Sequence, residues 1–466
     1  MSSQKSNIAS PLQWKRVYFL GIGGIGMSAL ARYFKAHGVA VSGYDLTPGA
    51  ITSQLIAEGI SVHFDDNPAL VPTNLDAVVF TPAVPADNKE RMHIESAGIA
   101  IFKRSQVLAM VTDGFKLLAV AGTHGKTSVS AMLAHILNQT EDGCNAIIGG
   151  IARNFDSNLL LSANKNALFV AEADEFDRSF LQLSPWMGLV TSTDADHLDI
   201  YNDLETLREG FSQFTQRIQA GGKLLVKAGT ELSVKAHDTV EKYCYSTELP
   251  ADFTIRRLKL TGYRYQFDLL TPFSEIKGIV LGVPGLMNVE NAVAASAAAI
   301  LTGAGELHVK EGLESFLGVK RRFDHRIVGK DFIYIDDYAH HPTEIEACIR
   351  SVRHMYPGRK ITTIFQPHLF SRTRDFATGF AQSLSESDRV ILLDIYPARE
   401  KPIPGVSSEM LLKEITISDK ELLSNDELLN KLPSMKPEIL LTLGAGDIDR
   451  LIEPIEQLFK KAGTQC

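Results

Sequence analysis

Short apolar runs alternate with glycine-rich turns and helical stretches along most of the chain, a texture that predicts parallel sheets with helices on both faces. The first such unit is the β-run Arg16–Leu20, the turn Gly21-Ile-Gly-Gly-Ile-Gly26 and a helical stretch Met27–His37 that Gly38 ends. Val39–Tyr44 predicts the next strand, stopping at Asp45, and Ala77–Thr81 a later strand of the same sheet. A second unit runs through a strand Lys116–Val120, the turn Ala121–Thr127 and a helix Ser128–Asn138, with further strands at Ala167–Ala171 and Met187–Thr191. The short alternating runs of Phe253–Val283 predict added antiparallel strands. A third unit has strands at Phe332–Ile335, Thr362–Phe365, Arg389–Leu393 and Ile439–Leu443. The expected fold class is α/β in three domains, 1–112, 113–320 and 321–466.

Composition narrows the function. The 466 residues carry 47 basic and 55 acidic side chains, a net charge of −8 that argues against nucleic acid or an anionic membrane as main partner. Cys144, Cys244, Cys348 and Cys466 stand far apart with no C-x-x-C pair, which argues against a zinc ribbon or a disulfide scaffold. The N-terminus is polar and lacks a signal-peptide core. The longest small-apolar stretch, Ala292–Leu301, is too short to span a bilayer. These features predict a cytoplasmic protein without membrane insertion, monomer or homodimer.

Two loops carry phosphate chemistry. Gly21, Gly23 and Gly26 fit G-x-G-x-x-G between a strand and a helix, so Gly23, Gly24, Ile25 and Gly26 bring backbone N–H groups and a helix N-terminus to a pyrophosphate. Asp45, at the end of the next strand, stands where an acid contacts a ribose. This predicts a Rossmann-like first domain. The second loop, Gly122-Thr-His-Gly-Lys-Thr127, ends in the G-K-T of a P-loop, although Val120 stands where that pattern wants glycine. Its amides cradle phosphates, Lys126 sets a charge near the β- and γ-phosphates, and the Thr127 hydroxyl suits Mg²⁺.

Acids follow the apolar strands. Glu172-Ala-Asp-Glu175 and Asp194-Ala-Asp-His-Leu-Asp199 sit at predicted strand ends beside the P-loop, which suits one or two Mg²⁺ ions. Asp336-Asp-Tyr-Ala-His-His-Pro342 and Gln366-Pro-His-Leu-Phe-Ser-Arg-Thr-Arg-Asp375 repeat the placement, with histidines and arginines that suit an anionic substrate. Arg321, Arg322 and Asp324, at the predicted hinge, lie where domain closure brings them to nucleotide phosphates.

The segments GIGGIGMSALA, GTHGKT, EADE, DADHLD, PGLMNVENA, RRFD, DDYAHHPTEI, QPH…SRTRD, KPIPG and LGAGDI follow the order and spacing of the Mur ligase family, and the resemblance covers nearly the whole chain. It implies that the first domain binds the UDP of a sugar nucleotide and not NAD, with Thr81, Pro82 and Ala83 beside its diphosphate. It implies an ATP-binding central domain built on Gly122, Thr123, His124, Gly125, Lys126, Thr127 and Ser128. The C-terminal domain is then a Rossmann-like one that binds amino acid and ATP. Asn288 and Asn291 match the family's adenine contacts, Arg322 its phosphate contact and Asp337 a ribose contact. Thr127, Glu172 and His197 match the Mg²⁺ ligands. Tyr338, His340 and Arg372 resemble the contacts to the muramoyl and alanine end, and Lys126, His197 and Arg372 the catalytic set. The nearest branch of the family joins L-alanine to UDP-N-acetylmuramate through an acyl phosphate, giving ADP and phosphate. A sister branch that attaches a recycled tripeptide is the alternative. An NAD(P)-dependent dehydrogenase, which leaves the G-K-T loop idle, and a non-catalytic nucleotide switch are the readings from other classes. Two positions depart from the family pattern: Leu369 replaces an arginine after Gln366-Pro-His, and Arg399 stands in a segment that often reads A-G-E. No lysine occurs between Tyr201 and Gln216, so the carbamylated lysine of related ligases is not expected.

Overall fold

The computed structural model describes residues 11–195, 201, 203–398 and 400–463. A five-stranded sheet runs Ser61–His63, Ala40–Tyr44, Arg16–Leu20, Ala77–Phe80, Ile101–Lys103, with every pairing parallel. A parallel sheet covered on both faces needs continuous apolar strands. Val17 to Leu20 are accordingly all buried, Val17 and Phe19 in one core and Tyr18 and Leu20 in the other, as the two-residue period of a strand requires.

A seven-stranded sheet runs Glu241–Tyr245, Lys223–Lys227, Met187–Val190, Leu117–Ala121, Leu168–Glu172, Cys144–Ala152, Ser157–Leu160. The last pairing is an antiparallel hairpin, so the sheet is mixed. A six-stranded sheet runs Asp324–Val328, Ile333–Asp337, Ile439–Leu443, Ile361–Phe365, Arg389–Leu392, Lys420–Leu422, parallel except at its first pairing. Thr254–Thr261, Arg264–Leu270 and Glu275–Val280 form a small three-stranded sheet.

The chain divides into two compact units. One comprises 1–255, 269–277 and 292–317, the other 256–268, 278–291 and 318–466. The first unit contains both large N-terminal sheets, and the helix Ile25–Ala36 packs on the hairpin of the seven-stranded one. Buried Arg32 fastens that contact: its Nη1 donates to Asn158 Oδ1 at 2.5 Å and its Nε to Glu58 at 2.9 Å. Asn158 Nδ2 donates in turn to Ile25 O and Ser28 Oγ.

Both loop helices begin two residues earlier than the sequence predicts, at Ile25 and Lys126. Helix starts are read from a polar capping side chain, and here the caps are Gly24 and Gly125, which have none.

Candidate active site

The first glycine loop is shaped by its neighbours. Gly21 has φ +82°, and its N–H and that of Ile22 donate to Tyr44 O at 2.8 and 3.0 Å. A Cβ on Gly21 would lie 2.6 Å from Thr81 Cγ2, so the Thr81–Ala83 turn stands against the loop. Asp45 Oδ2 accepts from Gly23 N at 2.7 Å and Oδ1 from Thr47 N at 3.3 Å. The carboxylate expected at a ribose therefore also holds the loop in shape. A Cβ on Gly26 would lie 2.9 Å from Nη1 of Arg104, a residue the sequence reading left out.

The second loop leaves the strand Leu117–Ala121 directly. Val120, where the P-loop pattern wants glycine, is still extended and buried in that strand. Gly122 has φ +133°, and a Cβ there would collide with Thr191, which only glycine avoids. Thr123 N donates to Ser192 O and His124 N to Ser192 Oγ at 2.9 Å, pinning the loop to the end of Met187–Val190. Gly125, left-handed at φ +79°, caps the helix Lys126–Leu137, whose first intrahelical bond is Val129 N to Gly125 O. The amides of Lys126 to Ser128 precede that bond, at the positive end of the helix.

The Lys126 ammonium donates to both carboxylate oxygens of Glu175 at 2.8 Å and to Gly122 O at 2.6 Å. Burial works against its charge. Glu175, Asp174 and Glu172 outweigh that and hold its pKa above the ordinary lysine range. Thr127 Oγ1 donates to Glu172 at 3.0 Å, and Gly149 N donates to Glu172 Oε2 at 2.7 Å. Thr127 and Glu172 thus meet at the head of the helix. Among the described residues no group of three or more His, Cys, Asp or Glu is arranged to hold a metal ion. Mg²⁺ takes one or two carboxylates and keeps water and phosphate oxygens, so this pair fits a magnesium–nucleotide and not an all-protein cage. His197 lies outside the described residues.

Within the second unit a different cluster forms. Arg321 (φ +63°) and Phe323 (φ +47°) are left-handed. Arg321 Nε donates to fully buried Asp336 at 3.2 Å and Nη2 to Gly444 O at 2.6 Å. Asp337 accepts from Phe323 N at 2.6 Å and Ala339 N at 2.7 Å. Burial pushes its carboxyl up to about 7, with the Arg322 charge opposing. The Tyr338 ring lies 5.3 and 4.9 Å from the Arg321 and Arg322 guanidinium carbons. His340 Nδ1 is 3.0 Å from Tyr338 O, and Arg372 is buried. Asn288 Nδ2 donates to Pro284 O at 2.7 Å and Asn291 Nδ2 to Asn288 Oδ1 at 3.2 Å, so both sit at the start of the helix Leu286–Leu301. Leu369, at the position of the missing arginine, is buried at φ +69°. Arg374 pairs with Asp375 at 2.7 Å, and Arg399 lies outside the described residues.

Two glycine loops at the ends of parallel strands, one of them a P-loop variant with its lysine and hydroxyl in place, define a nucleotide-binding α/β enzyme fold. Family models match three consecutive stretches: the Mur ligase family catalytic domain at 16–116, the Mur ligase middle domain at 120–299 and the Mur ligase glutamate ligase domain at 321–446. The chain belongs to the Mur ligase family. Among its relatives, the UDP-N-acetylmuramate–L-alanine ligase of Parabacteroides distasonis is 48% identical over 96% of this chain and 97% of its own. That of Porphyromonas gingivalis is 49% identical over 95% and 98%. The crystal structure of UDP-N-acetylmuramate–alanine ligase from Thermotoga maritima aligns with TM-score 0.80 at 26% identity, covering 97% of this chain and all of that one. A murein peptide ligase from Psychrobacter arcticus shares the fold, with TM-score 0.71 at 22% identity over 96% and 98%.

Proposed function

We propose that this protein joins L-alanine to the lactyl carboxylate of UDP-N-acetylmuramate at the expense of ATP, a step of peptidoglycan precursor synthesis. A carboxylate oxygen attacks the γ-phosphorus and ADP leaves. The alanine amine then attacks the acyl-phosphate carbonyl, and inorganic phosphate leaves with the amide formed. The observation that carries the reading is Lys126, a charged lysine held at the head of the P-loop helix among acids. Its ammonium neutralises charge on the phosphoryl group as it transfers. The helix-end amides of Lys126 to Ser128 add fixed dipoles there. Thr127 and Glu172 would hold Mg²⁺, which supplies further neutralisation of the phosphates. Three functional segments, 1–112 for the sugar nucleotide, 113–320 for ATP and 321–466 for ATP and amino acid, fit this division of labour. The reading assigns Asn288 and Asn291 to the adenine and Arg322 and Asp337 to the phosphate and ribose. Tyr338, His340 and Arg372 go to the muramoyl and alanine end. Protein and substrates meet in the cytoplasm, where ATP and UDP-sugars are made.

ADP release measured with UDP-N-acetylmuramate, Mg²⁺ and a panel of amines tests the reading. L-alanine should give strong turnover, while glycine and serine report the strictness of the amine pocket. No ADP with alanine, or turnover only with a stem tripeptide, would overturn it.

A further inference from the structure

Arg104 opens the helix Arg104–Thr112 directly after the edge strand Ile101–Lys103. Its side chain crosses the third glycine of the first loop so closely that a Cβ on Gly26 would lie 3.0 Å from Cδ and 2.9 Å from Nη1. Glycine at that position therefore admits the arginine as well as close helix packing. On the far side, Nη2 donates to Asp174 Oδ2 at 3.1 Å. Asp174 lies between Glu172, which holds Thr127, and Glu175, which holds Lys126. Next to it, Lys103 Nζ meets Asp177 at 2.7 Å, and Asp177 and Arg178 are both left-handed. The strand–helix junction 103–104 is thus tied by two ion pairs to the acid segment of the P-loop site.

A guanidinium carries five N–H donors. Asp174 takes one of them in this structure, and the side chain is only 21% exposed. Partly buried arginines spend their forks on anions, and phosphate is the best geometric match. We propose that Arg104 is a substrate-binding residue that donates to an anionic oxygen of the sugar nucleotide's diphosphate, held in place by Asp174. The proposal rests on the ligase reading for the identity of the nucleotide. It adds a side-chain charge to a loop otherwise built from backbone amides. It also makes Asp174 the positioning residue that joins the sugar-nucleotide loop to the phosphoryl-transfer loop.

The test is calorimetric binding of UDP-N-acetylmuramate, UDP-N-acetylglucosamine and UMP to wild type, Arg104→Gln and Asp174→Asn, with ATP-analogue binding and thermal melting in parallel. UDP-N-acetylglucosamine keeps the diphosphate but lacks the lactyl carboxylate, and UMP keeps the base and one phosphate. Arg104→Gln should weaken both UDP-sugars about 10–100-fold, the cost of a charge-assisted contact. It should change UMP much less and leave the ATP analogue within a few-fold. Asp174→Asn should produce a smaller loss in the same order. Unchanged affinity for both UDP-sugars in a folded Arg104→Gln protein overturns the assignment. A loss confined to UDP-N-acetylmuramate moves the contact to the lactyl carboxylate and overturns the diphosphate assignment. Failure of wild type to bind either UDP-sugar would instead sink the ligase reading itself, so the two failures are distinct.

Discussion

Two pairs of acids follow apolar strands, and they differ in the partners that hold them. Glu172 and Glu175 in the first unit take the Thr127 hydroxyl, the Lys126 ammonium and one backbone amide, that of Gly149. Asp336 and Asp337 in the second take Arg321, the Thr442 hydroxyl and the backbone amides of Phe323 and Ala339. In sequence both pairs read alike, as acids at the C-terminal edge of a parallel sheet. The partner decides what each acid does. A lysine on a long flexible stem and a threonine rotor can turn from a carboxylate to a phosphate or a metal. A main-chain N–H cannot leave without moving the chain. The Lys126 and Thr127 contacts are therefore suited to exchange for a ligand, and the two amide contacts of Asp337 to fix the left-handed segment that carries Arg322.

The largest effect should come from breaking the exchangeable pair. Lys126→Ala should lower kcat by at least about 10²–10³-fold, the scale of one preorganised charge in phosphoryl transfer, while UDP-sugar affinity stays near wild type. It should also strand Glu175, which is fully buried. Stranding one partner of a buried pair costs about 3–5 kcal/mol, so the melting temperature should fall. The double variant Lys126→Met/Glu175→Gln removes both charges. It should recover much of the melting temperature and none of the turnover. Recovery of activity in that variant would end the idea that the lysine acts on phosphate.

The structural pair should respond in stability. Arg321→Met leaves Asp336 buried without its cation, again about 3–5 kcal/mol at neutral pH. Burial already raises the Asp336 pKa and Arg321 counteracts it. Without the arginine, protonation becomes the way to relieve the charge. The loss in melting temperature should then be larger at pH 8 than at pH 5. Equal losses at both would show that Arg321 acts through packing or the Gly444 contact and not through Asp336.

The strands Arg16–Leu20 and Ile439–Leu443 fall where hydrophobic patterning puts them, because strands buried on both faces leave continuous apolar runs. The phosphate loops are legible for a related reason: glycines with φ +82°, +133° and +79° leave a mark that few other constraints produce. What stayed hidden are partners distant in sequence. Arg104 is a lone arginine at a strand–helix junction with no motif around it, and its acid lies 70 residues on. Glu175 was visible as one of several acids, but nothing local says that it, and not Glu172, receives the lysine. Ser192 pins the P-loop across 68 residues through an ordinary hydroxyl. Asp45 was legible as a strand-end acid, while its bond to Gly23 N required the loop's actual path.

The effect read per pH unit sharpens the comparison most finely, because it concerns the charge state of Asp337. Asp337 is pushed up to about 7 by burial, against an ordinary value of 3.8. A carboxyl whose pKa is raised in the fold binds its proton more tightly there than in the unfolded chain. Its contribution to stability is fully present below about 4 and is lost as pH climbs through about 7. Within that window the slope from this one group is at most about 1.4 kcal/mol per pH unit. Asp337→Asn cannot titrate and should flatten stability against pH between 4 and 7. It should also lower stability at acid pH, since an amide nitrogen would face one of the two backbone N–H groups that the carboxyl now accepts. Chemical denaturation across that range measures both effects. A slope unchanged in Asp337→Asn would mean that Asp337 is ionised throughout, stabilised by Arg322 and its two amides. In that case Asp337 would carry a permanent charge beside Arg322, and the division between exchangeable and fixed contacts would rest on geometry alone.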